Sequence, residues 1–197
     1  MSAPDEPQRL STEALFRRHA DFVASFLARL GVAQEDLDDV LQEVFLVVHA
    51  RGGYVAGPAK PTSYLGAIAT RAALSYRRRR STSKVRSSAV SPDELSDEEQ
   101  SPVRTLQVSE SSRALNEALA SLDPVLSATL LLVEQEGESC GAVAEAMGSP
   151  VGTVYWRLNK ARKLLRQELE RRGEGREIRV GSRLSGPRSA REQNEVP

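Results

Sequence analysis

The stretch GSPVGTVYWRLNKARKLLRQELERR, residues 148–172, begins with a glycine and a Ser-Pro pair and continues as one basic segment. Its apolar residues recur at spacings of three and four, which predicts a helix with one buried stripe. The predicted stripe consists of Val151, Val154, Leu158, Ala161, Leu165 and Leu169. A basic helix of this kind can read DNA, lie on a membrane or a partner, or form the solvated last helix of a bundle.

The residues before this helix favour the first of these functions. Ser139 is predicted to cap a short helix that ends at Met147, and Gly148 with Ser149-Pro150 would form a turn that caps the long helix. A short helix, a glycine-containing turn and a longer helix make a helix-turn-helix, whose second helix presents its N-terminal residues to the major groove. The predicted outward residues are Thr153, Tyr155, Trp156, Asn159, Lys160 and Lys163, with Arg157, Arg162 and Arg166 available for phosphate contacts.

Two other interpretations of the same helix stay open. Tyr155 and Trp156 could pack on a neighbouring helix and leave the cations as an ordinary solvated face. A membrane-surface helix is less favoured, because a small helical core needs the apolar stripe.

Helical periodicity also dominates the rest of the chain, and strand alternation is absent. Three helices are predicted in the first half: one capped by Ser11 and running to about Leu30, one from about Gln34 to Ala50, and one capped by Thr62 and ending in Arg77–Arg80. In the second half, Asp123-Pro124 is predicted to begin a helix that reaches about Glu136. The predicted fold is therefore all-α, with two small helical domains joined by a flexible linker. Its predicted segments are a disordered N-terminus (1–9), a first domain (10–80), a Ser-rich acidic linker (81–112), a helix-turn-helix domain (113–172) and a disordered tail (173–197).

Composition limits the function classes. Lys and Arg number 27, as do Asp and Glu, so the net charge is zero and any DNA-binding surface must be segregated along the chain. The single cysteine, Cys140, permits no disulfide within the chain and favours a reducing, cytoplasmic location. The N-terminus does not resemble a signal peptide, and no apolar run approaches the ~20 residues that span a bilayer. We expect no catalytic residue, no metal site and no cofactor, because His19 and His49 stand alone and no enzyme motif is present.

The second helix carries an acidic face. Asp39, Gln42, Glu43 and Leu46 fall at i, i+3, i+4 and i+7, opposite the apolar stripe, and Asp38 lies beside them. By pattern alone this is an ordinary solvated face. Acids so close together repel each other mildly, which makes a basic partner plausible.

Three stretches resemble RNA polymerase sigma factors of the extracytoplasmic-function (ECF) group. They are DLDDVLQEVFLVVHA (36–50), SYLGAIATRAALSYRRRR (63–80) and the fifty-odd residues from ALASLDPVL to KLLRQEL (118–169), including PVGTVYWRLNKAR. The resemblance implies an alternative sigma factor, not an enzyme, that binds core RNA polymerase and promoter DNA. It also implies control by an anti-sigma factor, which could hold the protein at a membrane without inserting it.

The resemblance also assigns surfaces. The polymerase β′ coiled coil would meet Asp38, Asp39, Gln42, Glu43 and Leu46, while the C-terminal domain would touch the β flap. The −10 promoter element would meet Tyr64, Arg71, Ser75, Arg77 and Arg78. The −35 element would meet Ser139, Thr153, Tyr155, Trp156, Arg157, Asn159, Lys160 and Lys163.

The third helix departs from the family pattern. Tyr64 stands where the family usually has Trp, Thr70 replaces Arg, Arg71 replaces Asn, and Ser75 replaces Asp. The family's −10 preference therefore does not transfer to this chain. Two rivals stay open: a stand-alone helix-turn-helix regulator, and a sigma-like protein that binds polymerase without initiating.

Overall fold

The computed structural model describes residues 9–87 and 110–172, and the predictions for residues 1–8, 88–109 and 173–197 lie outside them. Within the described ranges the chain forms seven α-helices and one short antiparallel strand pair, so the all-α prediction is confirmed. The helices are α1 (Thr12–Arg29), α2 (Leu37–Ala50), α3 (Pro61–Ser87), α4 (Glu110–Ser121), α5 (Pro124–Leu130), α6 (Cys140–Met147) and α7 (Val151–Arg171). A 3₁₀ turn (Gln34–Asp36) precedes α2, and a π-helical turn (Leu131–Gln135) extends α5.

The N-terminal module, α1 to α3, begins at a side-chain cap. Ser11 Oγ accepts a hydrogen bond from the Ala14 amide at 3.2 Å, as the sequence predicts. The buried face of α1 includes Leu15, Val23, Phe26 and Leu27.

The strand pair is a feature that the sequence pattern did not predict. Strand β1 (Arg9–Leu10) pairs antiparallel with β2 (Tyr54–Val55), which lies between α2 and α3. The two strands approach closely at Gly53, where a Cβ would lie 2.2 Å from the Leu10 carbonyl oxygen. Glycine also suits the φ of +89° at this position.

The boundaries of α3 and α4 differ from the predicted ones. Helix α3 begins at Pro61, so Thr62 lies inside the helix and is not its cap, and the helix extends past residue 80 to Ser87. Helix α4 begins at Glu110, so both ends of the predicted 81–112 linker are helical. Composition indicated the linker but could not locate the ends of the flanking helices, because polar residues are compatible with a helix end as well as with a linker.

The caps of α5 and α6 in the C-terminal module, α4 to α7, follow the prediction. Asp123 Oδ1 accepts from the Val125 amide at 2.9 Å, and Ser139 Oγ accepts from the Ala142 amide at 3.1 Å. Gly148 ends α6 in the left-handed conformation with a φ of +62°. The predicted Ser149 cap of α7 is wrong. Pro150 occupies the cap position without a side-chain bond, and Ser149 Oγ instead accepts from Arg157 Nη1 at 3.0 Å.

The two modules share one hydrophobic core. Helix α3 packs against α1 and α2 on one side and against α5 and α6 on the other, while α1 also contacts α4. The buried cluster runs without interruption from Leu15 in α1 to Leu169 in α7. Because α3 is covered on both sides, every residue from Leu65 to Thr70 is buried.

Candidate nucleic-acid and partner interfaces

The acidic face of α2 lies in the open. Asp38, Asp39 and Gln42 are exposed, and Leu46 is 60% exposed. Glu43 is different, because its carboxylate is half-buried and lies 2.9 Å from Arg79 Nη2 of α3. The structure thus brings the five predicted residues onto one surface. On this surface the charge of Glu43 is already balanced by Arg79 of the same chain.

The basic end of α3 is largely occupied by contacts within the protein, which the sequence did not reveal. Tyr76 donates its hydroxyl proton to Asp36 Oδ2 at 2.7 Å, and Arg80 Nη1 lies 3.2 Å from the same carboxylate oxygen. The hydrogen bond from Arg80 to the Tyr76 hydroxyl raises the pKa of the Arg80 guanidinium further above its ordinary value. Arg79 and Arg80 therefore fasten α3 to α2 and its preceding turn.

A separate face of α3 carries most of the predicted −10 residues. Tyr64, Arg71, Ser75 and Arg78 fall at i, i+7, i+11 and i+14, which places them along one side of the helix. Arg71, Ser75 and Arg78 are exposed, whereas Tyr64 is half-buried and donates its hydroxyl to the Gly53 carbonyl at 3.0 Å. This side of α3 offers two free-standing cations and one aromatic ring to a ligand.

Two other positions of α3 point elsewhere. Arg77 is half-buried, and its Nη1 donates to the Leu122 carbonyl of the C-terminal module at 2.7 Å. Thr70, which replaces the usual Arg, is buried and donates its hydroxyl to the Gly66 carbonyl at 2.6 Å. A charged side chain at position 70 would have to be desolvated in this arrangement, which explains why a small hydroxyl fits there.

The N-terminal half of α7 exposes a mixed aromatic and basic surface. Tyr155 and Trp156 are 50% and 58% exposed, so they do not serve as core residues of a neighbouring helix. Asn159, Lys160 and Lys163 are exposed as predicted, and Lys160 Nζ lies 4.7 Å from the centroid of the Trp156 ring. Val151, the first residue of α7, was predicted in the buried stripe, but it is 47% exposed.

Other polar side chains fix α7 in place. Arg162 Nε donates to Glu134 Oε1 at 2.9 Å, which ties α7 to the π-helical turn. Arg157 donates a hydrogen bond to the Ser149 hydroxyl. Thr153 is half-buried, and Ser139 is exposed although its hydroxyl caps α6. An open groove of about 400 Å³ follows the helix and is lined by Asn159, Arg162, Lys163, Arg166, Gln167 and Glu170. Three of these six residues are cationic, and since Arg162 is paired with Glu134, Lys163 and Arg166 remain to contact a phosphate backbone.

The described residues were also considered for a membrane span, a metal site and a reactive thiol. No helix among residues 9–87 and 110–172 is long and apolar enough to cross a membrane. Within the same ranges no three His, Cys, Asp or Glu side chains are grouped to hold a metal ion. Partial burial raises the pKa of the Cys140 thiol, which disfavours a reactive thiolate at neutral pH.

Comparison with known proteins identifies a family model and several proteins that are similar to this chain. Residues 15–82 match the model of Sigma-70 region 2. The "ECF RNA polymerase sigma factor SigE" of Mycolicibacterium smegmatis is 30% identical over 165 residues, which cover 84% of this chain and 64% of that protein. The "ECF RNA polymerase sigma-E factor" of Haemophilus influenzae is 29% identical over 164 residues, covering 79% of this chain and 86% of the relative.

A solved structure has the same fold. The sigma factor RpoE of Bartonella quintana, in complex with the anti-sigma factor NepR, aligns with a TM-score of 0.57 and 18% identity over 80% of this chain and 96% of that one. Residues 15–82 thus carry a sigma-70 region 2, and the chain is similar in sequence to ECF sigma factors, which is the resemblance that the sequence motifs indicated. It spans 64% of the length of its mycobacterial relative.

Proposed function

We propose that this chain is an alternative sigma factor that recruits core RNA polymerase to specific promoters. The observation that carries the proposal is the separation of charge on one small protein. An acidic and apolar face is exposed on α2, and exposed cations stand on other elements, Arg71 and Arg78 on α3 and Lys160 and Lys163 on α7. Since the net charge is zero, the free chain would have little general affinity for DNA, and polymerase would supply the rest.

Each surface has one role in this proposal. The face of Asp38, Asp39, Gln42, Glu43 and Leu46 docks on the basic β′ coiled coil of polymerase. Its exposed carboxylates speed and orient the encounter, and Leu46 supplies apolar contact.

The two promoter elements are divided between the modules. The Arg71 side of α3 holds the −10 element, where cations follow the backbone and Tyr64 offers a stacking surface. The first turns of α7 enter the major groove of the −35 element, where Asn159 can pair with adenine and Lys160 with guanine. The other residues of the proposed −35 set are Ser139, Thr153, Tyr155, Trp156, Arg157 and Lys163.

We further propose that the chain catalyses nothing itself and that an anti-sigma factor controls it. The solved relative was captured with such a partner. The module containing α4 to α7 would also touch the β flap. The rival of a stand-alone regulator leaves the open acidic face of α2 without a use.

Reconstitution tests the proposed function directly. Purified protein is mixed with bacterial core polymerase, and transcripts from total genomic DNA are mapped at their start sites. We expect defined new start sites that share two spaced sequence elements and that disappear without this protein. Polymerase binding without start sites would support the non-initiating rival, and DNA binding without polymerase binding would support the stand-alone regulator.

A further inference from the structure

A buried carboxylate lies between the two modules. Glu138, in the turn before α6, is only 6% exposed. Its Oε1 accepts from the Ser63 hydroxyl at 2.8 Å and from the Lys60 amide at 3.3 Å. Lys60 directly precedes α3 and Ser63 lies in its first turn, where the helix dipole favours a negative charge. The C-terminal module thus supplies the acceptor for the start of a helix in the other module.

Close packing extends this contact along α3. A Cβ at Gly66 would lie 2.9 Å from Leu132 Cδ2, so a larger residue at this position would force the Leu132 side chain of the π-helical turn to shift. At the edges, Lys60 Nζ donates to the Glu136 carbonyl at 3.2 Å and Arg77 donates to the Leu122 carbonyl at 2.7 Å. The side of α3 with Ser63, Gly66 and Arg77 is therefore covered.

Size decides whether this closed form can work on a promoter. A compact particle of the described length has a diameter of roughly 40 Å. The −35 and −10 elements are named by their positions, which differ by about 25 base pairs. On B-form DNA, at ~3.4 Å per pair, that separation is roughly 85 Å. The closed form cannot reach both. Promoter binding by both modules at once therefore requires the modules to separate.

We propose that Glu138 is the latch of an autoinhibitory closed form, in which the C-terminal module covers one side of α3 and withholds Arg77 from DNA. The inference rests on the proposed function for its consequence, but the closure itself is a property of the free chain. The acidic face of α2 stays exposed in the closed form, so the latch blocks promoter engagement and leaves polymerase docking possible.

An engineered disulfide tests the closure. An ideal Cβ at Gly31 lies 3.7 Å from the Ala120 Cβ of the other module, which is within disulfide range. The variant is the full-length chain with Gly31→Cys, Ala120→Cys and Cys140→Ser. Its oxidised form, with the disulfide closed, is compared with its reduced form. Gly31 has a φ of +87°, but the resulting strain is present in both forms and cancels in the comparison. A chain with Cys140→Ser alone controls for the oxidant.

Substitutions at the latch provide the second arm. In the double-cysteine background, Glu138→Ala should slow disulfide formation roughly tenfold, because the donors of α3 lose their buried acceptor. Ser63→Ala should slow it less, since the Lys60 amide still reaches the carboxylate. Asp21→Asn removes an exposed negative charge from α1 and should leave the rate unchanged.

The two arms separate closure from function. We expect the oxidised chain to bind core polymerase but to lose at least roughly tenfold in genomic transcripts, with recovery on reduction. Undiminished transcription by the oxidised chain, or a disulfide rate indifferent to Glu138→Ala, would overturn the latch. If even the reduced chain and the wild type yield no transcripts, the proposed function fails, while the disulfide rates still show whether Glu138 closes the chain.

Discussion

Reversing one charge on the acidic face, Asp39→Arg, should weaken binding to core polymerase. Asp39 is exposed in the first turns of α2 and lies one helical turn from Gln42 and Glu43. The substitution leaves the buried stripe of α2 untouched, so the free energy of unfolding should hardly change. Asp39 is a cleaner target than Glu43, because reversing Glu43 would also break its 2.9 Å pair with Arg79 and place two cations together.

The expected magnitude follows from the exposure of the residue. A solvated ion pair contributes about 0.2–1 kcal/mol after screening. Reversing the charge removes one attraction and adds a repulsion of similar size. Binding should therefore become less favourable by about 0.5–2 kcal/mol. That change corresponds to a two- to thirtyfold rise in Kd, at roughly 1.4 kcal/mol per factor of ten.

The assay is titration of labelled protein with core polymerase at two salt concentrations. The loss should shrink at high salt, because screening weakens both the attraction and the repulsion. Asp21→Arg introduces the same charge change on an exposed position of α1 and serves as the matched control. Equal affinities of wild type and Asp39→Arg at low salt would refute the docking face, whatever happens to transcription.

Three further predictions concern the C-terminal module. Asn159→Ala with Lys160→Ala should reduce transcription from mapped promoters at about 1–3 kcal/mol per lost base contact while polymerase affinity stays constant, and unchanged start-site choice would show that α7 is not the reading helix. Ser139→Ala should lower the free energy of unfolding by about 1 kcal/mol in urea titrations, whereas Ser139→Asp keeps the cap but should impair transcription by placing a negative charge near DNA. Arg171 and then Arg172 lower the pKa of Glu168 from 4.5 to about 2, so its stabilisation is complete above pH 4.5 and is lost as the pH falls towards 2. The stability gap between wild type and Glu168→Gln should therefore close over that interval, and a gap independent of pH would contradict the ion pairs.

Local signals in the sequence located the elements well. Ser11, Asp123 and Ser139 each make the capping bond that their position predicts, and Gly148 adopts the left-handed conformation. These features depend on chemistry within four residues, so a sequence pattern contains them in full.

The start of α7 shows where local rules fail. Ser149-Pro150 has the same pattern as Asp123-Pro124, yet Pro150 lies at the cap and Ser149 receives a bond from Arg157. The competing donor, Arg157, lies eight residues further along the chain. It reaches Ser149 only once α7 has formed, so a local pattern does not contain this contact. Similarly, the sequence pattern predicted a solvated Glu43, because its partner Arg79 comes from the distant end of α3.

Leu65–Thr70 did contain a signal for the contact between the modules. Leu-Gly-Ala-Ile-Ala-Thr is apolar or small at every position, although a helix packed on one side only would alternate with polar residues. A helix that is apolar all round must be covered all round, and α1 and α2 can cover only one side of α3. The cover for the other side comes from α5, α6 and the π-helical turn, at the close approach that Gly66 permits. A sigma factor that had to keep this helix bare in water would expose that apolar surface, so the composition of α3 favours a chain that closes on itself when it is free.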